Sequence, residues 1–190
     1  MERMFTHEES TLLESLIGHR FRNVSGPALW HHLTAPLVYV ATDQGVIAVE
    51  AISEEVQLED DFVDLSHLRI SQVEIGVLEE CFNKGYVYKK YADSEIQSIA
   101  VVSDLVIGEI DGTQNLNYKS ETAIALATEE GILYVSKSDM NLPTLQVHYL
   151  RKLSLEDLPL VDSDFEDDIN QKYYVTRKIK FLGQKDGLKN

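Results

Sequence analysis

A sixteen-residue pattern appears twice in this chain, and that repetition limits the fold more than any other feature. Residues 36–51 read PLVYVATDQGVIAVEA and residues 122–137 read TAIALATEEGILYVSK. Thr42 falls on Thr128, Asp43 on Glu129, Gly45 on Gly131, Val46 on Ile132 and Val49 on Val135. In both copies a β-rich run meets Thr-acid-x-Gly and then a second β-rich run. This is the signature of a hairpin whose turn glycine takes a positive φ. Weaker matches flank it. Residues 15–26 and 98–112 are strand-like and end in Gly, and residues 65–73 and 145–153 supply a further pair of strands at shifted spacing.

The rest of the chain fits the same picture. Thr6-His7-Glu8-Glu9 has the spacing of a capping box, so a short helix is expected from there to about Ile17, with Gly18 as its stop. Residues 96–110 (IQSIAVVSDLVIGEI) suit helix by apolar spacing and strand by β-branched density; strand is favoured from about 97 to 110. A final strand is expected from Tyr173 to Leu182. The expected fold is mostly β or α+β. It comprises two similar antiparallel β-meander or small-barrel-like units arising from an internal duplication, with a short N-terminal helix. Residues 1–92 form the first unit with its helix, 93–171 the second with an acidic linker, and 172–190 a basic C-terminal segment docked on the rest.

Residues 15–21, SLIGHRF, resemble the first strand of small bacterial β-barrel modules such as the photosynthetic-reaction-centre barrel. The likeness covers that one stretch, contains no functional residue and transfers no function.

Charge is the second informative feature. The 190 residues hold 17 Lys and Arg against 32 Asp and Glu, a formal net charge of -15. That balance opposes non-specific binding to nucleic acid and to anionic membranes. The acids are concentrated. Residues 54–64 contain six acids and no base: Glu54, Glu55, Glu59, Asp60, Asp61 and Asp64. Residues 156–168 contain seven acids and no base, among them Asp162, Asp164, Glu166, Asp167 and Asp168. Residues 172–190 reverse the sign, with six Lys or Arg against Asp186. The two acidic segments keep the chain soluble and offer a docking face for a basic partner.

Chemical motifs are scarce. The chain has no phosphate-binding loop, dinucleotide fingerprint or nucleophile elbow. Cys81 has no partner for a disulfide and is expected to be buried and structural, since Glu79 and Glu80 disfavour a thiolate. No cofactor or metal is implied. No apolar run approaches the roughly 18 residues of a membrane helix, and the opening residues do not read as a signal peptide. A cytoplasmic location is therefore expected.

The expected function is that of a non-catalytic cytoplasmic interaction protein whose acidic surface masks a basic partner, as an immunity protein or inhibitor does. Two alternatives stand beside it. One is a small-ligand or metal site, or a hydrolase, built on the loop with Trp30, His31 and His32 and including Asp43, since loops carry function more often than cores. The other is a structural homo-oligomer joined by sheet edges.

Overall fold

The computed structural model describes residues 1–26, 36–58, 61–84, 87–137, 141–150 and 171–183. Its elements, in chain order, are β1 (Glu2–Arg3), α1 (His7–Ser15), β2 (Arg20–Gly26), β3 (Leu37–Thr42), β4 (Val46–Leu58) and β5 (Asp61–Val73). Then come α2 (Val77–Asn83), β6 (Val87–Ile110), β7 (Thr113–Thr128), β8 (Ile132–Lys137), β9 (Leu145–Leu150) and β10 (Gln171–Leu182). The fold is mostly antiparallel β with a short N-terminal helix, and residues 97–110 are strand. All ten strands belong to one sheet, ordered β5-β4-β3-β2-β6-β7-β8-β9, with β1 beside β7 and β10 beside β6. Among the described residues β5 does not pair with β9, so the sheet is open. Among the described residues the sheet is not closed into a barrel.

The strand order falls into two halves of like connectivity. β2-β3-β4-β5 is one four-stranded meander and β6-β7-β8-β9 is another, joined by antiparallel pairing of β2 with β6. The two turns share most of their hydrogen bonds. The Thr42 amide donates to the Gly45 carbonyl at 2.8 Å, and the Thr128 amide donates to the Gly131 carbonyl at 2.8 Å. Each threonine hydroxyl then accepts from the amide two residues on, Gln44 at 3.2 Å and Glu130 at 3.3 Å. The match extends to an irregularity. Phe21 opposes Thr42 and Asn23 opposes Ala41; likewise Ile96 opposes Thr128 and Ser98 opposes Ala127. One residue is bulged at the same place in both units, and bulges bend and twist a strand locally. Phe21 is thus the counterpart of Ile96, which makes Arg20 the counterpart of Glu95. Those two residues pair with each other where β2 meets β6.

The turn glycines differ. Gly45 has φ 143°, as the repeat implies, but Gly131 has no positive φ. Its side is instead crowded: a Cβ there would stand 2.8 Å from the Leu150 carbonyl oxygen and 3.0 Å from the Tyr149 ring.

One apolar core serves both units. It draws Phe21, Val24, Val40, Val49 and Ile70 from the first and Ile99, Leu126, Leu133, Val135 and Val147 from the second. Leu13 and Leu16 of α1 enter the same core. Glu9 fixes the helix in place. One carboxylate oxygen accepts from the Thr6 amide at 2.8 Å, completing the capping box, and the other accepts from the Ile70 amide of β5 at 2.9 Å. The helix therefore satisfies a donor on an edge strand while burying its own apolar side.

Candidate functional site

The first acidic segment lies on the β4–β5 hairpin, whose two faces are unlike. The inner face carries Val56 and Leu65, packed with Val106, Leu116 and Tyr118 from the second unit. On the outer face Glu55 stands directly opposite Asp64, and Gln57 opposite Phe62. Glu55, Phe62 and Asp64 are exposed, and Phe62 keeps 63% of its surface in water. Opposed like charges cost a sheet roughly 0.2–1 kcal/mol. Among the described residues no cation bridges either carboxylate. The result is a negative patch with an exposed aromatic ring beside it, on a strand pair held firm from behind.

Glu54 points elsewhere. Its carboxylate accepts from two nitrogens of the Arg3 guanidinium, Nε at 2.6 Å and Nη2 at 2.5 Å, and this hydrogen bonding holds it below the usual carboxylate range. It closes an internal clamp between β1 and β4. The Asp61 backbone pairs with Leu58. Glu59, Asp60, Asp162, Asp164, Glu166, Asp167 and Asp168 lie outside the described residues.

Beneath the clamp is a buried polar seam where the units meet. Ser66 of β5 offers its carbonyl to the Tyr118 hydroxyl at 3.0 Å and to the Lys137 ammonium. Burial pushes the Tyr118 phenol up to about 12 and the His67 imidazole below its ordinary value. Glu121, 5% exposed, accepts from the Phe5 amide at 2.8 Å, yet burial raises its carboxyl to about 7. The Asp104 side chain is likewise fully enclosed. Arg177 of β10 grips it with Nε and Nη2, both at 2.8 Å, and the Thr122 hydroxyl donates to it at 3.1 Å. These groups stitch strands that are distant in sequence. Their arrangement explains how β1 and β10 are held.

The alternative pocket is only partly visible. Trp30, His31 and His32 lie outside the described residues. Asp43 sits in the β3–β4 turn, where its Oδ1 accepts from the Arg20 amide at 3.0 Å and stands 3.2 Å from His19 Nδ1. His19 had no evident partner in the sequence; a contact with a turn 24 residues further on leaves no local signal. Cys81 is buried, and desolvation raises its thiol pKa, which suits a structural role. Among the described residues no cluster of His, Cys, Asp or Glu is placed to hold a metal ion, and no helix is long and apolar enough to cross a membrane.

No known family model, curated protein or solved structure matches the chain.

Proposed function

We propose that this protein is a non-catalytic interaction module that binds a basic protein partner through the outer face of the β4–β5 hairpin. The observation that carries the reading is the register. Glu55 and Asp64 oppose each other beside an exposed Phe62, a combination that costs stability in the isolated chain. A lysine- or arginine-rich surface relieves that repulsion, and Phe62 supplies the apolar anchor that binding sites concentrate near their centre. The net charge of -15 would speed the encounter. Residues 156–168, adjacent in sequence to β10, would add to the same field. The protein would then mask a cationic surface in the manner of an immunity protein or inhibitor, working in the cytoplasm.

The test begins with gentle purification from the protein's own cells at low salt and native mass spectrometry of the complex. The basic polypeptide recovered is then titrated against wild type, Glu55→Lys/Asp64→Lys and Phe62→Ala. Two reversed charges at a partly exposed contact are expected to weaken binding by about 1–2 kcal/mol, roughly 5–30-fold, and to reduce its salt dependence. Unchanged affinity and unchanged salt dependence in the double variant would reject the reading.

A further inference from the structure

We infer that the first unit carries a binding site for a neutral, purine-sized N-heterocycle, at a cleft that the second unit has closed. The cleft lies between the end of α1 and the β3–β4 turn, opens to solvent and offers about 320 Å³. Its floor is apolar, formed by Leu16, Val46 and Ile47, and its rim is polar, formed by His19, Gln44 and Gln72. The size falls at the small end of ligand pockets, about 300–1,000 Å³.

The internal repeat provides the control. Gln72 stands opposite Ile47 in the first unit, and Tyr149 stands opposite Leu133 in the second. Ile47 and Leu133 occupy the same step after the turn, so Gln72 and Tyr149 are counterparts. In the second unit the Tyr149 ring fills the space beside the turn, 3.0 Å from where a Gly131 Cβ would lie, and stacks on Phe21 with centroids 6.5 Å apart. In the first unit the nearest atom to the equivalent point at Gly45 is the Gln72 Nε2, at 3.9 Å. An aromatic plug has been exchanged for a carboxamide, and the vacated volume is lined by hydrogen-bonding groups.

The chemistry of the rim selects the ligand class. Each glutamine offers a donor and an acceptor side by side, the pairing that recognises the edge of a purine. Asp43 holds His19 through Nδ1; with that nitrogen donating, Nε2 is left as an acceptor. The apolar floor suits a flat ring. The lining has no lysine or arginine, so a free base or nucleoside fits and a phosphorylated form does not. This site is separate from the acidic hairpin face and does not depend on it.

The experiment is a titration of the full-length protein with adenine, adenosine and adenosine monophosphate at up to millimolar concentration, followed by amide NMR. Adenine and adenosine are expected to shift the Gln44 and Gln72 side-chain signals and the His19 ring, with the monophosphate at least tenfold weaker. Gln72→Tyr, which copies the second unit, is expected to abolish the shifts while leaving the melting temperature unchanged. Should Gln72→Tyr disturb folding, Gln44→Ala at the exposed turn is expected to weaken binding severalfold in an intact protein. Three results would each overturn the inference: no response at these three residues, equal binding by the plugged variant, or preference for the monophosphate.

Discussion

Replacing Glu121 by Gln is expected to stabilise the protein above neutral pH and to leave it nearly unchanged in acid. Glu121 is buried against the N-terminal segment, and burial raises its carboxyl from 4.5 to about 7; Glu9 adds to the rise, while the Phe5 amide and Lys119 oppose it. Between those two values the folded protein keeps a proton that the unfolded chain has released. Folded stability from this group is thus fully present below about pH 4.5 and is lost as pH rises through 7. At 1.36 kcal/mol per pKa unit, the loss reaches about 3 kcal/mol. Glutamine cannot ionise, and its carbonyl still accepts from the Phe5 amide. Urea unfolding of both proteins, followed by circular dichroism from about pH 4 to pH 8, reads this group because titrations not coupled to it cancel in the difference. The variant is expected to gain up to about 3 kcal/mol at the upper end, equivalent to about 6–12 °C in melting temperature. Parallel stability curves, or a variant less stable than wild type near pH 8, would refute the reasoning.

Other consequences are simpler to state. Asp104→Ala removes the carboxylate that Arg177 and Thr122 enclose and is expected to cost about 3–5 kcal/mol in chemical denaturation; a loss below about 1 kcal/mol would show that the pair does not secure β10. Thr6→Ala deletes the α1 cap, with an expected loss of about 1 kcal/mol by the same assay. Gly131→Ala drives a methyl group against the Leu150 carbonyl and the Tyr149 ring, and about 1–3 kcal/mol of destabilisation is expected from the overpacking. A thiol reagent is expected to label Cys81 only slowly in the folded protein and rapidly in denaturant, given its burial and raised pKa.

Local chemistry made some of this architecture legible. The capping box at Thr6 and Glu9 and the turns at Thr42 and Thr128 are written in short motifs, because their hydrogen bonds close within three residues. The strand character of 97–110 followed from its β-branched content. What stayed hidden depends on contacts between distant residues. The second bond of Glu9, to the Ile70 amide, required knowing that α1 lies over β5. The outer strands of the repeat are related through Gln72 and Tyr149, a register set by pairing with β4 and β8 that shifted the sequence alignment. The acids of residues 54–64 divided in the same way. Their charge was visible in the sequence, but only the register separates Glu54, clamped by Arg3, from Glu55 and Asp64 on the outer face.

The central claim is that the outer face of β4–β5 meets a basic partner. Hydrogen exchange of the free chain and of the complex with that partner tests it most directly. Slowed exchange confined mainly to residues 53–66, relieved by added salt, is the expected result. Unaltered exchange in that hairpin, with protection elsewhere in the sheet, would contradict it.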